Sequence, residues 1–204
     1  ALSAQIHREL SSWTAAAQKQ ANAHLDALTL ARFAVAAPLQ GDDLFTMFRE
    51  AMAWRAEYGV CAIFDELHPV RLRASGATDR QRRVRDHFYA GVGGVARDGV
   101  PFFVERLGSA DLDGYTRDAE TLELMQQAYV AQLEMIYRTA RAASAASGRL
   151  CYGLIVVDIQ GLSLLGLRRG MALIKFAAKI VSGRPMPGPR VPWRAAQRPG
   201  SSQP

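Results

Sequence analysis

Few residues in this chain are of a type and spacing that could do chemistry. Asp158 closes the apolar run Leu154-Ile155-Val156-Val157 and is followed by Ile159-Gln160-Gly161. Four branched apolar residues in a row predict a strand buried on both faces, as in the middle of a parallel sheet, with Asp158 near its carboxyl end. Ligands collect at that end of open α/β sheets because the loops there splay apart. The plainer role for Asp158 is a hydrogen bond that turns the chain after the strand. No second carboxylate, His or Cys stands in a motif beside it, and His7, His24, His68 and His87 are scattered. General acid–base or metal chemistry at Asp158 therefore lacks its other half. The expectation is a binding protein with no enzymatic activity, no metal and no cofactor.

Two further patterns carry a possible chemistry. Gly91-Val92-Gly93-Gly94-Val95-Ala96 has the spelling of a dinucleotide fingerprint, G-x-G-x-x-A. That fingerprint needs a strand before it and a helix after it, whereas this one follows the polar Arg83–His87 segment and runs into Pro101, so it reads as a turn. Arg71, Arg73, Arg80, Arg82, Arg83 and Arg85 form a basic cluster with Asp65, Glu66, Asp79 and Asp86 interleaved. Mixed acids and the lack of aromatics between Arg71 and Arg85 make this a solvated helix or linker, not a nucleic-acid stripe.

The elements that would position these residues follow from composition and period. The chain has 204 residues, 49% of them hydrophobic, with a net charge of +6. That suits one main domain with a core of ordinary size plus an appendage. No run approaches the roughly 18 apolar residues of a membrane span. Cys61 and Cys151 are too few and too far apart for a disulfide framework or zinc site, which points to a reducing, cytoplasmic setting. Residues 1–27 contain no apolar core of signal type.

Ile6, Leu10, Trp13, Ala17, Ala21, Leu25 and Leu28 recur at helical spacing, predicting an amphipathic helix over 4–33 broken once, ended by Pro38 and Gly41. Asp42 or Asp43 would cap a second helix running to Tyr58, with Gly59 stopping it. Asp98-Gly99 makes a turn into a strand carrying Phe102, Phe103 and Val104. A long helix from about Asp118 to Ala146 bears Leu122, Met125, Tyr129, Leu133, Ile136 and Ala140 on one stripe, with Gly148 at its end. Strand, helix and strand then form a crossover with both strands parallel. Ser163 would cap a last helix, Leu164–Val181, which has Arg168, Lys175 and Lys179 on one side; it reads as a core helix with a wet face, or as a basic face for anionic membrane. The Pro-, Gly- and Arg-rich segment that follows predicts disorder.

Several of these segments in order resemble the CRAL-TRIO family of lipid-binding proteins. The resemblance rests on Arg32-Phe33, Phe48, Trp54-Arg55-Ala56-Glu57-Tyr58-Gly59, Asp98-Gly99-Val100-Pro101-Phe102-Phe103-Val104-Glu105-Arg106-Leu107-Gly108 and Asp158-Ile159-Gln160-Gly161. It implies an α/β fold: a helical N-terminal subdomain at 1–60, a linker at 61–97, an incomplete, parallel-strand lipid-binding domain at 98–182, and a disordered tail at 183–204. It also implies a phospholipid or other hydrophobic lipid as partner, transient contact with a membrane surface, and no nucleic acid. In the family's pattern the hydroxyls that hold a choline lipid fall here at Gly153 and Ile155, and the pocket tyrosine at Phe103. The expected apolar slot is lined by Phe103, Gly153, Ile155, Val157 and Phe176. The alternative is a truncated interaction or regulatory module that uses an open sheet edge and the basic helix at membranes.

Overall fold

Helix starts and stops in this chain are written in short polar residues and glycines. A computed structural model describes residues 2–40, 43–87 and 90–181. The N-terminal helices are α1 (Leu2–Glu9), α2 (Ala15–His24), α3 (Ala27–Gln40) and α4 (Leu44–Tyr58), with a single 3-10 turn at Leu10–Ser12. The region expected as one helix broken once is therefore broken twice. Thr14 accepts from Ala17 N–H to start α2, and Asp26 accepts from the Leu28 and Thr29 amides to start α3, so each break supplies its own cap. Pro38 does not stop α3, which runs two residues beyond it to Gln40. Asp43 caps α4 through Thr46 N–H, and Gly59 ends it at φ 72°, as the sequence predicts.

The segment read as a linker is largely ordered secondary structure: α5 (Val60–Leu67), α6 (Pro69–Leu72), α7 (Asp79–His87) and strand β1 (Ala90–Val95). Mixed charges hid this, because α7 keeps only Gln81 and Val84 buried. Its arginines are satisfied by neighbouring acids: Arg80 by Glu66, Arg82 by Asp79, Arg83 by Glu120 and Arg85 by Asp86. The glycine-rich stretch expected as a turn is strand β1. Its glycines erase the alternation that marks a strand, yet they let β1 lie close over Phe102, since a Cβ on Gly93 would collide with that ring.

Strand β2 (Pro101–Arg106) follows, then a short helix α8 (Leu112–Tyr115), the long α9 (Ala119–Ser147) and β3 (Leu154–Asp158). Asp118 caps α9 and Gly148 ends it at φ 68°. The sheet order is β1-β2-β3, with β1 antiparallel and β3 parallel to β2. It is thus a small mixed sheet, and only the β2–α9–β3 crossover has the expected parallel form. The chain continues into α10 (Leu164–Arg169), capped by Ser163, and α11 (Met171–Val181). The last helix is thus described as two, meeting at Gly170. The tail at 183–204 lies outside the described residues.

Among the described residues two apolar cores hold this together. Ile6, Leu10, Ala21, Phe48 and Met52 join α1, α2 and α4. Val60, Phe64, Leu67, Val84, Leu124, Met125, Ala128, Leu173 and Phe176 join α5, α7, α9 and α11. One expectation is reversed. Strand β3 was expected inside a sheet, but it is an edge strand, with Leu154 at 54%, Val156 at 45% and Val157 at 47% exposure. The apolar run specifies what the strand's faces prefer, and among the described residues no strand pairs with its outer edge.

Candidate functional site

The parallel register decides which side chains share a face. Phe103 lies opposite Ile155 and Glu105 opposite Val157, so these four project to one side of the sheet, the side on which α9 packs against β2. Phe103 is fully buried there. Gly153 stands at the entrance to β3: a Cβ would come 2.5 Å from Ile136 Cγ2 and 3.5 Å from Phe103 Cε2. A side chain at this position would push the strand off α9. Ile155 is half-buried and Val157 is exposed, so apolar surface runs outward along β3 from the buried ring of Phe103. The opposite face carries Phe102, Leu154, Val104 and Val156 in matching register.

One polar group on the α9 side is unexpected from the sequence. Glu105 accepts a hydrogen bond from Gln132 Nε2 at 2.6 Å. Burial pushes its carboxyl above the usual range, and the Gln132 bond draws it part of the way back. Burial, with the Glu105 charge added, pushes the nearby Tyr129 phenol up to about 12. Gln132 Oε1 is buried with no partner among the described residues. The signal available in the sequence was parity, since Glu105 lies two residues from Phe103 and must face the same way.

Asp158 takes the plainer of its two expected roles. Its Oδ1 accepts from Gln160 N–H at 2.9 Å, and Gly161 at φ 87° completes the turn. The loops after β2 and β3 touch backbone to backbone, because a Cβ on Gly108 would fall on the Gln160 carbonyl. Phe176 lies elsewhere. It is buried in the helical core, with its ring 6.3 Å from that of Tyr58 and Leu173 in the same cluster. Phe103, Gly153, Ile155 and Val157 are thus brought together on β2 and β3, while Phe176 belongs to the α5–α9–α11 core.

A polar brace fastens the N-terminal helices to α9. Thr29 Oγ1 and Tyr137 Oη are 2.9 Å apart, His24 Nδ1 is 3.3 Å from the same phenol, and Arg141 pairs with Asp26 at 2.9 Å. Burial, reinforced by Arg55, lowers the His24 pKa to about 4, which keeps the ring neutral. Next to it Glu134, 1% exposed, meets Arg55 Nη2 at 2.8 Å and Arg138 Nε at 2.8 Å. The Arg55 contact is close without a well-aligned N–H, so charge more than hydrogen-bond direction holds it. Burial alone would raise the Glu134 carboxyl, but Arg55 and Arg138 hold it below the usual range. Farther along α9, Arg32 donates to Ser144 Oγ at 2.8 Å, and that hydroxyl accepts from Cys151 N–H at 2.8 Å. The chain entering β3 is thereby tied to α3. Among the described residues no group of three or more His, Cys, Asp or Glu is placed to hold a metal ion.

No family model matches the chain. Four curated proteins of Arabidopsis thaliana do, at 23–28% identity, and all are phosphatidylinositol/phosphatidylcholine transfer proteins. Phosphatidylinositol/phosphatidylcholine transfer protein SFH9 is 26% identical over 148 residues, 72% of this chain and 24% of its own length. Phosphatidylinositol/phosphatidylcholine transfer protein SFH13 is 28% identical over 138 residues, 67% of this chain and 20% of its own length. The chain therefore spans about a quarter or less of the relatives it matches. Among the described residues, no helix is long and apolar enough to cross a membrane.

Proposed function

We propose that this chain is a CRAL-TRIO-like lipid-binding module that takes up a phospholipid or similar lipid from a membrane without catalysis. The observation that carries this reading is the similarity to four phosphatidylinositol/phosphatidylcholine transfer proteins. The apolar surface of β3 supports it. The acyl chain would lie along Phe103, Gly153, Ile155 and Val157; Phe176, buried in the helical core, is outside this slot. Each methylene removed from water would contribute about 0.8 kcal/mol, so uptake requires no strong polar anchor. In this reading residues 1–60 are the helical subdomain, 98–182 the lipid domain, and the protein works in the cytoplasm in transient contact with membranes.

The experiment is to purify the full chain, extract it with organic solvent, identify bound lipid by mass spectrometry, and measure transfer of labelled phosphatidylcholine between vesicles. Stoichiometric lipid and transfer above the vesicle-only rate are expected. Protein that carries none and accepts none would end the proposal. A second reading, an interaction module, draws on the edge of β3 that no strand pairs with among the described residues, and whose apolar faces are exposed. It predicts a partner chain that pairs with that edge.

A further inference from the structure

Charge is distributed unevenly along the chain. Asp158 is the last acid: residues 159–204 contain eight Lys and Arg and no Asp or Glu. Of the 25 Lys and Arg, 17 therefore precede residue 159, together with all 19 acids, so that part carries −2 against +8 for the remainder. The first ordered elements of the basic part are α10 and α11. Gly170 (φ −75°, ψ −1°) joins them, its N–H donating to Gly166 O at 2.9 Å and its carbonyl accepting from Ile174 N–H at 3.1 Å.

Leu164 and Arg168 lie one turn apart on α10, and Met171 and Lys175 one turn apart on α11, roughly opposite Leu173 and Ile180 of that helix. The burial pattern follows the same division. Leu173 is buried and Ile180 half-buried, whereas Arg168 and Lys175 are exposed, Leu164 is 88% exposed and Met171 37%. Leu165 flanks this face at 56%, and Ile159, in the turn leading to α10, is 63% exposed. Neither a protein core nor an ordinary wet surface calls for leucines and cations interleaved on one exposed face. The interface of an anionic bilayer takes both, phosphates meeting the cations and the acyl boundary receiving the leucines.

We propose that the exposed face of α10 and α11 is a docking surface for anionic lipid membranes. A polynucleotide would match the charge but would gain nothing from Leu164, Leu165 and Met171. A second copy of this chain would bring the same positive face against itself and be repelled. The docking surface does not depend on lipid uptake at β2 and β3. A chain that binds vesicles yet extracts no lipid would overturn the transfer reading and leave docking intact.

The test is co-sedimentation of the full chain with phosphatidylcholine vesicles, with and without phosphatidylserine, over a range of salt. Binding is expected only with phosphatidylserine. Arg168→Gln and Lys175→Gln should each weaken it about fivefold, corresponding to about 1 kcal/mol for each basic residue at an anionic surface. Leu164→Ser combined with Leu165→Ser should weaken it at least as much, and the loss should persist at low salt, where the charge attraction is strongest. All four side chains are exposed, so thermal melts of the variants should match the parent. Equal binding to both vesicle types would overturn the proposal. So would a leucine variant that binds like the parent, tighter binding to single-stranded RNA than to the vesicles, or self-association abolished by the same substitutions.

Discussion

Replacing Glu134 by Gln tests the brace between α4 and α9. The carboxylate is 1% exposed, its partner Arg55 13% and its other partner Arg138 45%. Arg138 can turn to water once the charge is gone, but Arg55 cannot, because its guanidinium is held beside the Tyr137 ring, 5.8 Å from the centroid. Stranding a buried charge costs roughly 3–5 kcal/mol, and the Gln oxygen can still accept one hydrogen bond, which places Glu134→Gln near 3 kcal/mol. For a chain of this size that is roughly 6–12 °C in Tm. Equilibrium urea unfolding followed by circular dichroism reads it as a lower midpoint at unchanged slope. The pH dependence has a definite sign. Glu134 is held below the usual carboxylate range in the fold, so its stabilisation is present above the unfolded pKa and is lost as pH falls through the folded one. Parent and variant should therefore converge in acid. The double replacement Arg55→Met with Glu134→Leu removes both charges, and should cost less than Glu134→Gln alone. A Glu134→Gln variant within about 1 kcal/mol of the parent at neutral pH, or a double variant worse than the single, would refute the view that the contact is a desolvated charge pair.

Other perturbations read different parts of the molecule. His24 is neutral in the fold, with its pKa lowered from 6.5 to about 4, so its contribution is complete above pH 6.5 and is lost as pH falls toward about 4; His24→Phe should flatten the urea midpoint across that window. Gly108→Ala would drive a Cβ into the Gln160 carbonyl and should cost about 2 kcal/mol or more, whereas Gly59→Ala, where space is open but φ is 72°, should cost about 1 kcal/mol by thermal melt. Val157→Asp, at a side chain 47% exposed and opposite Glu105, should cost about 1 kcal/mol through the paired carboxylates while abolishing uptake of labelled phosphatidylcholine; undiminished uptake would remove Val157 from the proposed slot.

What could be read from the sequence was local chemistry. Asp43, Gly59, Asp118, Gly148 and Ser163 end or begin helices where expected, because a cap needs only the next few backbone groups. The parallel pairing of β2 and β3 followed from the length of α9, since so long a helix returns the chain to its starting end. Relations between distant residues left no such trace. Glu105 and Gln132 are 27 residues apart, and Thr29 and Tyr137 are 108 apart, with nothing in either segment to announce the other. Strand β1 was hidden for a different reason: three of its six residues are glycine, so it has no alternation of apolar and polar side chains.

Strand β3 is the instructive disagreement, because its residues are those of an interior strand and its surroundings are those of an edge. Two kinds of cover would reconcile them, and they differ physically. A lipid chain can take apolar faces out of water, but it offers no donor or acceptor to the outward backbone groups of Leu154–Asp158. A pairing strand satisfies those groups and leaves the faces much as they were. Amide hydrogen exchange across β3, read beside hydroxyl-radical labelling of its side chains, separates the two. If the slot reading is right, adding lipid vesicles should quench solvent access to the Ile155 and Val157 side chains while the outward amides keep exchanging at their free rate. Protection of those amides, with side-chain exposure unchanged, would mean that what completes this sheet is another strand and that the apolar run is addressed to a protein chain.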